Sequence, residues 1–359
     1  MFRTLGFLSI LSILFTLLFS AAVLPLQAQT AVESVCLITD IGKINDGTFN
    51  QFAYEGMARA AEAFDLNSTF IETQALTDYD ANIAVCVEEG YDLIITVGWR
   101  LTDATYAAAA ANPDHFFVGV DAFFVDPLPN LVGIQAREDQ AGFIVGALAA
   151  LMTESGIVGG IYGIAEPPVM RFRNGYEQGV RYTNPEVQVL GVYIDDYVAP
   201  DRGAAAAEQF IGEGADVLFG AGGETGSGGI LRGAQMGVRV IGVDQDEYNT
   251  TFGGGETPGA EYLISSALKR VDNGVYLMIE AAVNGSPFPS DSIFTLMVEN
   301  EGIDFAPPHD ADVPETVTEQ VRAVLEGLRG GSIETGVDPV SGNLLSEVSD
   351  PAATPEASG

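Results

Sequence analysis

The sequence has 359 residues, which is long enough for two domains of ordinary size. Hydrophobic residues make up 47% of it and charged residues 18%, so the chain can bury a sizeable core and is not a disordered protein. The formal net charge of −35 argues against nucleic acid as a partner, because the phosphates would be repelled, and is typical of an acidic surface that keeps an exported protein in solution.

Residues 1–28 have the organisation of a signal peptide. Arg3 precedes an apolar run over residues 5–24, and residues 25–28 (PLQA) end in a small side chain at a plausible cleavage point. The run is also long enough for an uncleaved membrane anchor, and no second apolar stretch of spanning length follows it. We therefore expect an exported protein, periplasmic or extracellular, at the surface of the cytoplasmic membrane.

Strands and helices then alternate in two successive sets. Strands are predicted at residues 35–39, 69–72, 92–97, 116–120 and 131–134, and again at 157–162, 187–193, 217–219 and 240–243. Helices are predicted near residues 49–64, 80–89, 103–111, 139–151, 172–182, 204–212 and 230–237. Short β-branched runs separated by helical patterns are typical of βαβ units. The pattern predicts an α/β fold of two Rossmann-like lobes with parallel sheets joined by a hinge.

The lobe boundaries follow from this alternation. A further strand at 263–266 and a helix at 271–282 indicate that the chain recrosses between lobes. We assign residues 31–136 and about 246–290 to lobe 1, and residues 137–245 and about 291–330 to lobe 2. Residues 331–359 are rich in Ser, Gly, Pro, Glu and Asp and predict a disordered tail.

The two cysteines leave a choice open. Cys36 opens the first predicted strand and Cys86 lies on a predicted helix. An exported protein can form a disulfide, but two separate buried thiols fit the sequence equally well.

Polar residues cluster after the first strand. In open parallel sheets, ligands bind beyond the carboxyl ends of the strands, so the loops there supply the candidate residues. The first loop and the start of its helix bring Asp40, Asp46, Phe49 and Asn50 together. A carboxylate can accept two hydroxyl hydrogen bonds, and Phe49 can offer a flat face to a ring. The alternative is local: Asp46 caps the helix and Phe49 packs in the core.

The later strand ends repeat this arrangement. Trp99, the only tryptophan, follows the third strand and could stack on a ligand or simply pack. Asp121 follows the fourth strand and Asp244 follows the ninth, each after Gly-Val, so they hold equivalent places in the two lobes. The glycine-rich loop that contains Gly223 permits close backbone approach, but it lacks the Gly-Lys-Ser/Thr ending of a phosphate loop.

Lysine is rare in this chain. The sequence contains two lysines, Lys43 and Lys269, and thirteen arginines. Lys269 lies where the chain is predicted to recross between the lobes, and we interpret it as a donor of hydrogen bonds to ligand hydroxyls. The alternative is that it is an ordinary surface lysine without a function.

These motifs together resemble the basic membrane protein family of nucleoside-binding proteins that serve ABC importers. The resemblance runs over roughly residues 36–285. It rests on Asp40-x-Gly-x-x-x-Asp46-x-x-Phe49-Asn50, Gly-Val-Asp121, Glu138-x-x-x-Gly142, Pro168-Val169-x-x-Phe172-x-x-Gly175, Gly222-Gly223-x-Thr225-Gly226, Gly242-Val243-Asp244 and Ser266-x-x-Lys269.

The resemblance implies a type I periplasmic-binding-protein fold and roles for individual residues. Phe49 and Phe172 would sandwich a nucleobase, which we expect to be a purine, while Asp40 and Asn50 would bind its polar edge. The residues expected to hold the ribose are Asp121, Gly223, Asp244 and Lys269.

The resemblance also implies partners and an anchoring mode. The expected partners are a nucleoside and the permease and ATPase of an ABC importer, with the chain itself a monomer that carries no cofactor or metal. Family members usually carry a lipidated cysteine directly after the signal peptide. Here Cys36 begins a strand, which argues against a lipid anchor.

Two other functions fit parts of the pattern. A nucleoside hydrolase also places acidic residues after its first strand, but this chain lacks adjacent paired aspartates there, and its two histidines belong to no Ser-His-Asp, Cys-His or zinc-ligand pattern. We therefore predict no catalytic residues. A protein of the same fold that binds a sugar or a sugar-like signal is the closer alternative, because a fold does not determine its ligand.

Overall fold

The computed structural model describes residues 32–348, so the predicted signal peptide lies outside the described residues. The strands are β1 (Ser34–Ile38), β2 (Asn67–Ile71), β3 (Leu93–Val97), β4 (Phe116–Val120), β5 (Leu131–Ala136), β6 (Ile157–Tyr162), β7 (Gln188–Tyr193), β8 (Val217–Ala221), β9 (Arg239–Asp244), β10 (Leu263–Lys269), β11 (Ile293–Leu296) and β12 (Ile303–Phe305). The helices are α1 (Phe49–Phe64), α2 (Tyr79–Glu88), α3 (Thr102–Ala111), α4 (Glu138–Met152), α5 (Pro167–Thr183), α6 (Pro200–Gly212), α7 (Gly223–Gln235), α8 (Val271–Val283), α9 (Glu315–Arg329) and α10 (Leu345–Val348).

The strands form two six-stranded sheets, one for each lobe. The first has the order β11-β5-β4-β3-β1-β2 and is parallel throughout. The second has the order β12-β10-β9-β8-β6-β7 and is parallel except for β12, which runs antiparallel to β10. The central strands are buried and rich in Val, Ile and Leu, because helices cover both faces of a parallel sheet. The predicted α/β fold with two lobes is confirmed.

The lobe boundaries differ from the predicted ones at two strands. β10 was assigned to lobe 1, but it pairs with β9 in the second sheet, with Ala267 opposite Val243. β11 was assigned to lobe 2, but it pairs with β5 in the first sheet, with Phe294 opposite Ile134. The sequence of neither strand marks the sheet edge that the strand will join. Helix α8 packs against α1 in lobe 1, and α9 packs against α4 in lobe 2.

The chain therefore crosses between the sheets three times, at Arg137, at Arg270 and between β11 and β12. The backbone N–H of Arg137 donates to Leu296 O at 2.8 Å, and that of Arg270 donates to Gly302 O at 2.9 Å. Each arginine also binds the carboxylate two residues later through two side-chain nitrogens, as bidentate pairs do. The three crossings lie side by side and form the hinge.

Helices α4 and α5 approach each other closely at paired glycines. A Cβ on Gly142 would lie 2.3 Å from Phe172 O, and one on Gly175 would lie 2.2 Å from Asp139 O. Any larger residue would separate the two helices. This contact sets the position of Phe172, which α5 presents at the carboxyl edge of the second sheet.

Cys36 and Cys86 form a disulfide that joins β1 to α2, with their Cα atoms 6.0 Å apart. The sequence left this pairing open, and the structure selects the disulfide over two separate thiols. The cystine is fully buried beneath the first sheet.

The predicted disordered tail is wrong for residues 331–348, which the structure describes, and residues 349–359 lie outside the described range. Val337 is buried, and an isolated bridge joins it to Leu344. The composition typical of disorder is overcome here by hydrogen bonds to the body of the protein. Between residues 32 and 348, no helix combines the length and apolar character needed to cross a membrane.

Candidate functional site

A cavity lies between the two lobes, at the carboxyl ends of both sheets, and its empty space is about 650 Å³ when the part open to solvent is included. All ten residues singled out in the sequence line it: Asp40, Asp46, Phe49, Asn50, Trp99, Asp121, Phe172, Gly223, Asp244 and Lys269. The cavity therefore brings together side chains from distant parts of the chain, from Asp40 to Lys269.

The loop after β1 forms one polar wall. Asp46 caps α1, because its carboxylate accepts the backbone N–H groups of Thr48, Asn50 and Gln51 at 2.9–3.1 Å. Asp46 thus performs the local capping role and also lines the cavity. The Asn50 side-chain nitrogen donates to Asp40 Oδ1 and Asp46 Oδ2, both at 3.0 Å. Asn50 is therefore held in place by two carboxylates.

The same wall carries unused hydrogen-bonding capacity. The buried Asn50 Oδ1 has no hydrogen-bond partner among the described residues. Burial raises the pKa of Asp40 to about 7, although the hydrogen bond from Asn50 opposes this, and Asp46 adds to the rise. Asp40 can thus accept or donate a hydrogen bond near neutral pH, and Asn50 Oδ1 is an acceptor that a ligand N–H could meet.

Gly98, between β3 and Trp99, makes room for Asp40. Its φ of 120° is accessible mainly to glycine, and a Cβ there would lie 2.9 Å from Asp40 Cβ. Trp99 begins the following turn and is half-buried, with its side chain against the cavity. The turn therefore places an aromatic side chain next to the Asp40 carboxylate.

Two phenylalanines from opposite lobes face the cavity. Phe49 begins α1 in lobe 1, and Phe172 lies on α5 in lobe 2. The ammonium of Lys269 lies 4.9 Å from the Phe49 ring centroid and 5.9 Å from that of Phe172. Phe172 also packs edge-on against Phe219 in the core, which fixes its orientation.

Asp121 and Asp244 occupy matching places at the ends of β4 and β9. Both have left-handed backbones, with φ of 60° and 66°. Such backbone is uncommon for residues other than glycine and is concentrated at functional sites. The repeated Gly-Val-Asp thus brings one carboxylate from each lobe to the cavity.

Lys269, at the end of β10, pairs with Asp121 and with Glu138. Its Nζ lies 2.6 and 2.7 Å from the two Asp121 oxygens and 2.8 Å from Glu138 Oε1. Burial alone would lower the pKa of Lys269, but Asp121, Glu138 and Asp244 together raise it above its ordinary value. The ammonium therefore stays charged. Lys43, the other lysine, is exposed on its loop and does not line the cavity.

The lining is strongly acidic. Six carboxylates line the cavity, against one ammonium: Asp40, Asp46, Asp121, Glu166, Glu224 and Asp244, with Lys269. Burial raises the pKa of Asp244 to about 8; Lys269 opposes the rise, while Asp121 adds to it. Such a lining favours neutral ligands rich in hydroxyl or N–H donors and disfavours anions.

Glu166 and Tyr197 also line the cavity, although neither was predicted from the sequence. Tyr197 donates its hydroxyl to Glu166 Oε2 at 2.8 Å, and Arg100 of the other lobe pairs with Glu166 Oε1. Both missed residues follow strands of the second sheet, so the strand-end rule, applied to β6 and β7 as well, would have found them.

Hydrogen bonds also join the lobes at one side of the cavity. Gln245 donates its side-chain N–H to Thr48 O at 3.2 Å, and Thr250 donates its hydroxyl to Gly47 O at 2.8 Å. With the Arg100–Glu166 pair, these contacts hold the lobes together around the cavity.

A sequence model of the Bmp family, described as ABC transporter substrate-binding protein PnrA-like, matches residues 33–331. The chain belongs to this family. The Bmp resemblance drawn from the strand-end motifs is thereby confirmed, and the family consists of substrate-binding proteins of ABC transporters.

Curated relatives and solved structures agree with the Bmp assignment. The CD4+ T-cell-stimulating antigen of Listeria monocytogenes is 29% identical over 322 residues, which cover 85% of this chain and 88% of the relative. The ABC transporter nucleoside-binding protein BmpA of Lactococcus lactis is 27% identical, covering 81% and 86%. An ABC solute-binding protein from Aeropyrum pernix K1 superposes with a TM-score of 0.73 at 24% identity, covering 84% and 92%, and supports the periplasmic-binding-protein fold.

Proposed function

We propose that this Bmp-family chain captures a purine nucleoside between its two lobes and delivers it to an ABC permease. The observation that carries the proposal is the cavity lining. Two phenylalanines from opposite lobes lie near the Lys269 ammonium, which pairs with Asp121 of lobe 1 and interacts electrostatically with Asp244 of lobe 2. The name of the Lactococcus lactis relative, a nucleoside-binding protein, supports the same ligand class.

The base occupies the aromatic end of the cavity in this proposal. Phe49 and Phe172 stack on its two faces, an interaction worth about 1–3 kcal/mol per base in proteins that bind single-stranded nucleic acids. Asp40 and the free Asn50 Oδ1 meet its polar edge. Trp99 extends the apolar wall, which suits the larger ring system of a purine.

The ribose occupies the charged end. Asp121 and Asp244 accept hydrogen bonds from the hydroxyls, and the Lys269 ammonium donates to them. Gly223 begins α7, so the helix presents its unpaired backbone N–H groups at this point. A free base would leave these buried polar groups unmatched, and a nucleotide would bring its phosphate among six carboxylates.

Delivery requires opening and closing of the lobes. The three adjacent crossings form a hinge. The Arg100–Glu166 pair and the Gln245 and Thr250 hydrogen bonds form only when the lobes are together. The proposed partner is a permease with its ATPase, which would recognise the closed form of a monomer outside the cytoplasmic membrane. No catalytic step is part of the proposal.

A thermal-shift panel tests the ligand class. It contains adenosine, guanosine, inosine, uridine, cytidine, AMP, adenine, ribose, glucose and calcium, each added to the purified protein. We expect purine nucleosides to raise the melting temperature most, because a ligand at 100 times its Kd stabilises the folded state by about 2.7 kcal/mol. AMP, ribose and glucose should have little effect.

Three other outcomes would contradict the proposal. Stabilisation by glucose or ribose alone would identify a sugar-binding protein. The same carboxylates could then accept hydrogen bonds from the hydroxyls of the sugar. A shift that requires calcium and is accompanied by release of free base would identify a nucleoside hydrolase. AMP stabilising as well as adenosine would contradict the exclusion of phosphate.

A further inference from the structure

Residues 335–343, which we name the C-terminal strap, lie beyond the part of the chain that the family model matches. Asp338 closes a tight turn in the strap: its Oδ1 accepts the N–H groups of Val340 and Ser341 at 3.1 and 2.7 Å. The backbone N–H of Gly342 donates to Asp338 O at 2.9 Å. The strap is thus an ordered loop with its own internal hydrogen bonds.

The strap lies across the first crossing of the hinge. On the lobe 1 side, Gln135 of β5 donates its side-chain N–H to Pro339 O at 2.7 Å. On the lobe 2 side, Thr335 donates its hydroxyl to Asp139 Oδ2 of α4 at 2.5 Å. Both Gln135 and Thr335 are buried, so these hydrogen bonds are sheltered from water.

The strap also binds α5. Arg171 donates through Nη1 to Val340 O at 2.7 Å, and Asn174 donates to Gly342 O at 2.6 Å. Arg171 is 1% exposed, and an arginine so buried needs partners for its N–H groups. One of those partners is a carbonyl of the strap.

Arg171 begins a buried chain of ion pairs that reaches the cavity. Its Nε lies 2.5 Å from Glu138 Oε2, and Glu138 Oε1 lies 2.8 Å from Lys269 Nζ. Although burial would raise the pKa of Glu138, Arg171 and Lys269 hold it below its ordinary value. Glu138 is therefore an ionised link between a guanidinium held by the strap and the ammonium that faces the ligand.

We propose that the C-terminal strap is a positioning element for Lys269, acting through Arg171 and Glu138. The strap carbonyl fixes the Arg171 guanidinium, the guanidinium fixes one oxygen of Glu138, and the other oxygen holds the ammonium beside Asp121. Displacing the strap leaves the buried guanidinium short of an acceptor, and the network relaxes toward a new partner. The role in ligand binding rests on the proposed function, since Lys269 would contact the ribose hydroxyls.

Two glycines of this segment provide a matched pair of variants. A Cβ on Gly342 would lie 2.9 Å from Met170 Cβ and from Pro167 O, so Gly342→Leu forces the strap away from α5. A Cβ on Gly336 would meet no heavy atom of another part of the protein within 4 Å. Because the two have similar φ values, +79° and +72°, Gly336→Leu introduces the same backbone strain without the collision.

Calorimetric titration with adenosine and 2′,3′-dideoxyadenosine separates positioning from a general loss of structure. In Gly342→Leu we expect the affinity for adenosine to fall about tenfold, as for loss of a hydrogen bond to a charged group, and the affinity for the dideoxy compound to stay the same. Gly336→Leu should leave both unchanged. Equal losses for the two ligands in Gly342→Leu, or no loss for either, would contradict the proposal.

A second measurement does not depend on nucleoside binding. With only two lysines in the chain, ¹⁵N NMR can follow the Lys269 ammonium separately from the exposed Lys43. We expect its signal to shift or broaden in Gly342→Leu and not in Gly336→Leu; an unchanged signal overturns the proposal. Failure of the wild type to bind any nucleoside would refute the proposed function alone. If Gly342→Leu does not fold, Asp338→Ala opens the turn instead, with the same readouts.

Discussion

Replacing Lys269 with methionine is expected to reduce nucleoside affinity at least about 100-fold and to destabilise the fold by about 3–5 kcal/mol near pH 8. The methionine side chain is unbranched and only one heavy atom shorter than lysine, but it removes the charge that interacts with Asp121, Glu138 and Asp244. Removing one partner of a buried ion pair costs this much because the remaining charges lose their compensation. Urea unfolding and calorimetric titration measure the two effects.

The matched control is Lys43→Met, since Lys43 is the only other lysine and is exposed outside the cavity. It should change neither stability nor affinity measurably. The penalty for Lys269→Met should also shrink on acidification, because carboxylates that lose their counter-charge can take up protons instead. A Lys269→Met protein with wild-type stability and affinity would show that the ammonium is not an essential part of the site.

The unliganded protein should lose stability as the pH rises from about 4 to about 8. Burial raises the pKa of Asp40 to about 7 and that of Asp244 to about 8, both from an ordinary value of 3.8. The folded state therefore binds these two protons more tightly than the unfolded state does. Their stabilising contribution is complete below about pH 4 and is lost as the pH rises through 7 and 8. Each group contributes up to roughly 1.4 kcal/mol per pH unit within that window.

Thermal unfolding across this pH range, with Asp244→Asn beside the wild type, measures the contribution of one group. The amide cannot ionise, so the stability of the variant should decline less steeply between about pH 4 and about pH 8. Asp114→Asn, at an exposed carboxylate, should follow the wild-type curve. Parallel curves for wild type and Asp244→Asn would mean that Asp244 does not hold its proton in the folded protein.

The residues of the cavity could be predicted because parallel sheets bring all their strand ends to one edge. Asp121 and Asp244 illustrate this, since the same Gly-Val-Asp ends a strand in each lobe and both aspartates line the cavity. The role of each in binding stays a prediction. Glu166 was missed because its loop holds no glycine-rich or repeated motif, although its place after β6 marked it equally well.

The connections between the lobes could not be predicted from the same patterns. The sequences of β10 and β11 do not indicate whether each strand will join the first or the second sheet. The strap has the composition of a disordered tail, and its order depends on partners far away in the chain, such as Gln135 and Arg171. Local sequence carries no signal for a contact of that kind.

The most direct test of nucleoside capture uses Trp99, the only tryptophan of the chain, whose side chain lines the cavity. Its fluorescence would be followed during titration with adenosine and, separately, with glucose. We predict a saturable change with adenosine, because the base stacks beside the indole, and no change with glucose. A saturable change with glucose and none with any nucleoside would contradict the account.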